Sequence, residues 1–373
     1  MSARFLTAGP RGHEVVIGRG LGAALRETLE RLRPSRALVV SDRNVAPLYL
    51  SDVERAAAAA GLELAPPCVL APGEASKSPQ GLGAVWEALQ AGQLDRQGLV
   101  VALGGGVTGD LAGLAAGTWL RGVRVVHLPT TLLAMVDSAL GGKTAIDLGG
   151  AKNQVGVFHQ PAALLADLER LRTLPQRELR AGLGEAWKTA LLAGEPLLGR
   201  AEALAARARA GELEALEPLV EGCLRHKARV VATDERDERG ERALLNLGHT
   251  VGHALEAARP HLLHGEAVAV GVAVALRLAE RAGGVEPGFR ARALGLGRAL
   301  GLSLQVEPAP TLAELSPWLA RDKKLSAGRV VWVLPRGPGR AELAPVEEGL
   351  LADVLGEVLG GDPGPRLISG PPA

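Results

Sequence analysis

The chain reads as an α/β domain followed by a helical one, and three observations carry that reading. From residue 1 to about 178, apolar runs alternate with amphipathic ones, the pattern of parallel strands joined by crossover helices. The apolar runs of that half end in polar clusters, which gathers hydrogen-bonding groups at one edge of a sheet. From about Glu178 the texture changes to Ala, Leu, Glu and Arg at helical spacing, with no β-branched alternation until Arg329-Val-Val-Trp-Val-Leu334.

Taken in order, Arg36-Ala-Leu-Val-Val-Ser-Asp42 is the first clear strand and ends at Asp42-Arg-Asn44. A helix through Leu48 to Ala60 follows, then the strand Cys68-Val-Leu-Ala71 and the polar stretch Pro72-Gly73-Glu74-Ala-Ser-Lys77. The run Gly98-Leu-Val-Val-Ala-Leu103 predicts a buried strand that breaks into Gly104-Gly105-Gly106-Val-Thr-Gly109-Asp110, with a helix expected from near Asp110. Val123 to Leu128 is the next strand and ends in Pro129-Thr130-Thr131. Asp137-Ser138, Gly141-Gly142-Lys143-Thr144 and a Gly149-Gly150 turn before Lys152-Asn153 complete the half. In the second half, Glu202 to Glu217 and Arg290 to Leu300 read as amphipathic helices with solvated charges. Residues 361–373, rich in Pro and Gly, read as a flexible tail, so the expected domains are 1–178 and 179–360.

Composition bounds the function. With 373 residues, 47% of them hydrophobic, the chain can bury a large core. Lys+Arg 42 against Asp+Glu 41 leaves a net charge of +1, so no bulk field recruits nucleic acid or an anionic membrane, and an acidic ligand must be met locally. Cys68 and Cys223 are too few for a disulfide framework and fit a reducing compartment. The N-terminus lacks a signal-peptide apolar core, and the apolar run Ala267 to Leu276 is about half the ~20 residues a membrane span needs. These readings predict a soluble cytoplasmic protein.

Glycine spacing narrows the ligand without fixing it. Gly104 to Gly109 has the spacing G-x-G-x-x-G, whose bare backbone lets a pyrophosphate approach a helix N-terminus. The acidic residue expected about 20 positions later is missing, because the next acid after Asp110 is Asp137. Gly-Gly-Lys143-Thr suggests a P-loop, but that motif needs glycine where this chain has Asp137. Asp42, after a strand, could accept ribose hydroxyls or could equally cap the following helix.

Residue usage adds a second signal. Only seven of the 42 basic residues are lysine, namely Lys77, Lys143, Lys152, Lys188, Lys227, Lys323 and Lys324, and the asparagines are Asn44, Asn153 and Asn246. A chain that writes Arg for a surface cation keeps Lys where a compact ammonium is required. In the helical half, Asn246-Leu-Gly-His249-Thr-Val-Gly-His253-Ala-Leu-Glu256 places two histidines four apart on one helix face, and His264-Gly-Glu266 follows. Five of the eight histidines fall between 226 and 264. Two imidazoles and a carboxylate make a catalytic zinc site with one open position, and Glu185, with Lys188 one turn on, is the candidate third ligand. The Glu of the H-E-x-x-H protease motif is absent.

These residues together resemble the 3-dehydroquinate synthase family, part of the sugar phosphate cyclase superfamily. The resemblance runs from about Asp42 to Lys324 and rests on Gly-Gly-Gly-Val-Thr-Gly-Asp-Leu-Ala-Gly, Leu-Pro-Thr-Thr-Leu-Leu-Ala, Val-Asp-Ser-Ala-Leu-Gly-Gly-Lys-Thr, Lys-Asn with Phe-His-Gln-Pro, and Leu-Asn-Leu-Gly-His-Thr-Val-Gly-His. It implies an N-terminal Rossmann-like NAD-binding α/β domain, an all-α C-terminal metal-binding domain and a homodimer. It implies a shikimate-pathway lyase that converts 3-deoxy-D-arabino-heptulosonate 7-phosphate to 3-dehydroquinate and phosphate. The implied route is transient oxidation by NAD, phosphate elimination, re-reduction and an intramolecular aldol step.

Carried over by position, the resemblance implies Glu185, His249 and His264 as ligands of zinc or cobalt. NAD is expected on Asp42, Asn44, Glu74, Lys77, Gly104, Gly105, Gly106, Asp110, Thr130 and Thr131, with Lys143, Lys152 and Arg170, Leu171, Arg172 and Thr173 closing over it. Substrate is expected on Arg121, Asp137, Lys143, Lys152, Asn153, Lys188, Lys227, Arg242, Asn246, His253 and the Asp322-Lys323-Lys324 turn, with Arg121 reaching from the partner subunit. Met135, Ala139 and Leu171 stand where the family commonly has Gln, Ser and Phe. The alternatives are another sugar phosphate cyclase or a metal-dependent polyol dehydrogenase of the same architecture. A cyclase whose substrate lacks a carboxylate has no use for both Arg242 and Lys227, and glycerol-type dehydrogenases usually offer Asp where this chain has Glu185. A third reading, a catalytically dead NAD-binding scaffold, would have no reason to keep every metal ligand and anion contact.

Overall fold

The computed structural model describes residues 2–7, 12–319, 325–326 and 329–360. The Asp322-Lys323-Lys324 turn and the 361–373 tail lie outside the described residues. Two compact units emerge, one of Met1–Pro175 with Leu216–Arg236 and one of Gln176–Ala215 with Asp237–Ala373.

The first unit contains β1 (Ala3–Leu6), β2 (Glu14–Gly18), α1 (Gly22–Leu32), β3 (Ala37–Asp42), α2 (Ala46–Ala59), β4 (Cys68–Leu70), α3 (Pro79–Ala91), β5 (Leu99–Gly104), α4 (Gly106–Thr118) and β6 (Arg124–Pro129). The hairpin β7 (Lys143–Leu148) and β8 (Ala151–Phe158), turning at Gly149-Gly150, and then β9 (Ala163–Asp167) follow. Seven strands form one sheet in the order β1-β2-β9-β6-β5-β3-β4, antiparallel only at β1–β2.

Strand alternation builds the two layers around this sheet. Leu38, Val40, Val100 and Ala102 face Leu82 and Val85 of α3 and Leu111 and Ala115 of α4, while Val39, Val101 and Leu103 face Leu25 and Leu29 of α1 and Val53 of α2. The central strands are apolar on both faces because helices cover both, as in parallel sheets generally. The chain leaves β3 for β4 on one side and then crosses to β5 on the other. The carboxyl ends of β3 and β5 therefore flank the point where strand order reverses, the usual ligand crevice of an open α/β sheet.

The second unit includes α5 (Gln176–Ala193) and α6 (Leu197–Arg209); α7 (Leu213–Thr233) follows and contributes mainly to the first unit. Then come α8 (His249–Ala258), α9 (His264–Ala282), α10 (Phe289–Ala299), α11 (Leu312–Leu319), the strands β10 (Leu325–Ser326), β11 (Arg329–Gly337) and β12 (Arg340–Pro345), and α12 (Glu348–Leu359). Val251, Leu255, Val270 and Val274 on α8 and α9, Leu315 on α11, Trp332 and Leu334 on β11 and Val354 on α12 share one core. No helix among the described residues is long and apolar enough to cross a membrane.

Four expectations are corrected. The second unit is largely helical, not all-α, because Arg329–Gly337 pairs on both sides into a three-stranded antiparallel sheet. The stretch Glu202 to Glu217 is two helices, since Gly211 adopts φ +82 and ends α6. Most of α7 groups with the sheet unit: Arg19 pairs with Glu217 at 3.3 Å and the Arg225 guanidinium lies 4.5 Å from the Phe5 ring centre. Finally, α4 begins at Gly106, which puts Asp110 in its second turn.

One buried histidine in the sheet has a measurable consequence. His127 on β6 is enclosed, and burial, with His13 and His159 nearby, holds its pKa down to about 4 from 6.5. Such a group contributes stability that is present above 6.5 and lost as pH falls through about 4, a difference of about 3 kcal/mol. Denaturant midpoints taken between pH 7 and pH 4 should fall more steeply for the native chain than for His127→Gln. Parallel slopes would remove His127 from the account.

Candidate active site

Glycine and hydroxyl packing shapes the crevice of the first unit. A Cβ on Gly104 would collide with Thr108 at 2.6 Å and one on Gly105 would crowd Thr131 at 3.0 Å, so the packing there favours a bare backbone. The N-terminus of α4 carries no side-chain cap, which leaves first-turn N–H groups to an anionic ligand. Thr130 N–H donates to the Gly104 carbonyl (3.0 Å) and ties the end of β6 to that turn. Asp42 Oδ1 accepts from the backbone N–H groups of Asn44 (2.8 Å) and Val45 (3.1 Å), which closes the turn before α2 and does not cap that helix, and Oδ2 accepts from Thr108 Oγ1 at 3.4 Å. The Gly141-Gly142-Lys143 stretch runs into β7, not into a helix, which disposes of the P-loop.

A network of opposite charges rims this crevice. The buried Lys77 Nζ lies 2.6 Å from Asp110 Oδ2 and donates to Asn153 Oδ1 at 2.5 Å. Asp147 holds both partners: its N–H donates to the Lys77 carbonyl (2.9 Å), and its Oδ1 accepts the Asn153 N–H (2.8 Å). Burial pushes the Asp110 carboxyl up to about 6 against the pull of Lys77. Lys152 Nζ stands 3.6 Å from Glu74, and both side chains are exposed. Residues 134–138 form one wide turn in which the Ala139 N–H reaches back to the Ala134 carbonyl (3.1 Å), a geometry frequent at functional sites. That turn presents Asp137, whose Oδ1 and carbonyl accept from Lys227 Nζ at 2.5 and 2.7 Å.

The remaining expected residues of the first unit are more dispersed. Arg170 and Leu171 are buried, and Arg170 donates to the Leu128 carbonyl at 3.2 Å with its guanidinium 5.7 Å from the Tyr49 ring centre. That contact gives Arg170 a packing role in this structure, while Arg172 and Thr173 are exposed. Arg121 is exposed at φ +69 after a single helical turn, and Lys143 is exposed at the start of β7.

In the second unit, three helices bring one carboxylate and three imidazoles together. Glu185 on α5 is wholly buried, and its Oε2 lies 2.5 Å from the buried Lys188 Nζ. Its Oε1 faces His249 Nε2 at 3.8 Å and His264 Nε2 at 3.4 Å. Ring centroids of His249 and His253 are 5.3 Å apart, and those of His249 and His264 are 5.2 Å apart. The approach depends on glycine: a Cβ on Gly184 would meet the Gly265 carbonyl at 2.4 Å, and one on Gly265 the Ala181 carbonyl at 1.8 Å. Backbone contact between α5 and α9, beside Glu185 and His264, sets the spacing of the cluster. Arg242 is buried in the short 3-10 helix Glu241–Asn246 that precedes α8, Asn246 is half-buried at its end, and His253 is exposed.

The cluster fits a divalent cation. Ligand atoms of Glu185, His249 and His264 lie within 4.8 Å of one another. Metal–ligand bonds near 2.1 Å in a tetrahedron separate ligand atoms by about 3.4 Å, close to the 3.4 and 3.8 Å between Glu185 and the two imidazoles. Burial, reinforced by Lys188, holds the His249 pKa far below 6.5, which keeps the ring neutral as a ligand must be. Burial opposes charge on His264 too, but the Glu185 and Glu256 carboxylates raise its pKa to about 10, so this position attracts positive charge. Glu256, to which the sequence assigned no role, is the residue missed; its signal was its place two turns after His249 on the same face of α8.

Residues 67–181 match the family model for the N-terminal part of 3-dehydroquinate synthase, and residues 182–325 match that for its C-terminal part. A 3-dehydroquinate synthase of Symbiobacterium thermophilum is 45% identical over 341 residues, covering 90% of this chain and 95% of that protein. A solved 2-deoxy-scyllo-inosose synthase complexed with carbaglucose-6-phosphate, NAD+ and Co2+ superposes with a TM-score of 0.86 at 27% identity, covering 96% of this chain and all of the other. A 2-epi-5-epi-valiolone synthase from Streptomyces hygroscopicus with NAD+ and Zn2+ bound gives 0.83 at 29% identity, covering 93% and 96%.

Proposed function

The chain belongs to the 3-dehydroquinate synthase family, and on that premise we propose that it converts 3-deoxy-D-arabino-heptulosonate 7-phosphate to 3-dehydroquinate and phosphate. The observation that carries the reading is the buried carboxylate of Glu185 facing His249 and His264 and ion-paired with Lys188. Glu185, His249 and His264 hold zinc or cobalt, while the bare turn Gly104–Gly106, Thr130, Thr131 and the end of β3 hold NAD. A divalent metal held there would supply polarisation of substrate hydroxyls and NAD would supply a reversible hydride acceptor, which leaves cleavage of the carbon–oxygen bond to phosphate as the net lyase step.

The residues of the chain supply binding, charge and proton positions. Lys188, held by Glu185, presents a compact ammonium beside the metal ligands, and Arg242, Asn246 and His253 flank the same end of α8. Lys227, held by Asp137, and the Lys77–Asp110–Asn153 network fix ammonium groups in the first unit. Three of the seven lysines are thus buried and paired with carboxylates, the use of a compact cation that the Arg-rich composition implied. A doubly charged phosphate and a carboxylate need such fixed donors, and a net charge of +1 confines them to the site. The protein acts as a cytoplasmic homodimer in which Arg121 serves the partner's substrate.

Incubation with the heptulosonate phosphate, NAD and zinc should release inorganic phosphate, while a hexose 6-phosphate lacking a carboxylate should release none. Release from the hexose phosphate alone would transfer the chain to a related cyclase.

A further inference from the structure

We propose that Glu256 is the positioning residue of the metal centre, a carboxylate that fixes the tautomer and rotation of His264 without itself binding the ion; the inference rests on the metal assignment made above. His264 Nδ1 is 3.0 Å from Glu256 Oε2 while its Nε2 points to Glu185 at 3.4 Å, so the ring is strung between two carboxylates. The shorter separation is a hydrogen-bond length, and the longer one matches the ligand-to-ligand edge of about 3.4 Å expected around a tetrahedral zinc.

The surroundings assign the two carboxylates different tasks. Glu256 is buried on α8, two turns beyond His249 on the same face. The contact of α8 with α9 is fixed by backbone: a Cβ on Gly271 would stand 1.9 Å from the Gly248 carbonyl. His264 is the first residue of α9, where a ring has few helical neighbours to hold it, so a carboxylate from α8 supplies the orientation. A second triad, His253, Glu256 and His264, also gathers ligand atoms within 4.8 Å. Its His253 is exposed and its Glu256–His264 contact is already a hydrogen bond, which favours Glu185 as the ligand and Glu256 as the support. A ligating imidazole whose other N–H is donated to a carboxylate is fixed in tautomer and made more basic.

The test is metal binding by the full chain, read by competition of Co2+ and Zn2+ with a chromophoric chelator, together with 15N shifts of the histidine rings in the zinc form. Glu256→Gln should keep its fold and the tetrahedral visible spectrum of the Co2+ form but bind either metal at least about tenfold more weakly, whereas Glu185→Gln should not bind. In the unmodified zinc form His264 should carry its proton on Nδ1, a reading that needs no variant to fold. Equal affinity of Glu256→Gln and the native chain, or metal on Nδ1, overturns the inference. Loss of metal in Glu256→Gln with retention in Glu185→Gln would make Glu256 a ligand and also overturns it. No binding by the native chain overturns the metal assignment and the inference with it.

Discussion

Glu185→Gln should lose turnover by at least about a thousandfold, because a metal ion contributes several kcal/mol to charge stabilisation in the reaction and each 1.36 kcal/mol is a factor of ten. The substitution preserves volume, so packing of α5 against α9 is kept. What changes is charge: the carboxylate is wholly buried against Lys188, 2.5 Å away. Removing one member of a buried pair leaves the other ion uncompensated, which costs about 3–5 kcal/mol. Lower thermal stability and loss of bound metal should therefore accompany the loss of activity. Elemental analysis and phosphate release read both, and a variant with full metal content and normal turnover would show that Glu185 is no ligand.

Gly265→Ala should be nearly as damaging despite adding a single methyl group. That methyl would stand 1.8 Å from the Ala181 carbonyl, a backbone atom with no rotamer to escape into. Separation of α5 from α9 is the only relief, and overpacking of this kind costs about 1–3 kcal/mol or more. The same movement carries Glu185 away from His264, and a misplacement of about 1 Å in a catalytic constellation can cost on the order of a hundredfold in rate. Thermal midpoint and zinc affinity should fall together, while Gly349→Ala on α12, where an added Cβ meets nothing, should leave metal affinity unchanged. An unchanged zinc affinity in Gly265→Ala would separate the helix contact from the site.

Much of this arrangement was legible in the residues because local pattern and tertiary use coincide. The runs at 37–42, 99–104 and 124–129 are apolar on both faces, as buried parallel strands require, and the H-x-x-x-H spacing puts His249 and His253 on one face whatever lies around them. Short or exposed elements were harder to see. The hairpin of β7 and β8 is largely solvent-exposed and carries little hydrophobic signal beyond its Gly-Gly turn, and β1 is only four residues long. The break at Gly211 was hidden in a run of helix-forming residues, where one glycine does not weaken the periodicity. Glu256 went without a role because its partner, His264, begins the next helix, and spacing along one helix does not report contacts across two.

The central claim is a redox-neutral reaction in which NAD is regenerated at every turnover, and it is tested most directly by supplying NAD at a small fraction of the heptulosonate phosphate concentration. Phosphate release and nicotinamide absorbance are then followed together in the zinc-loaded protein. Phosphate should continue to appear long after every NAD has been used once, with no lasting rise in NADH. Release that stops at one phosphate per NAD, with NADH accumulating in step, would contradict it, and NADH accumulating with no phosphate released would make the chain a polyol dehydrogenase.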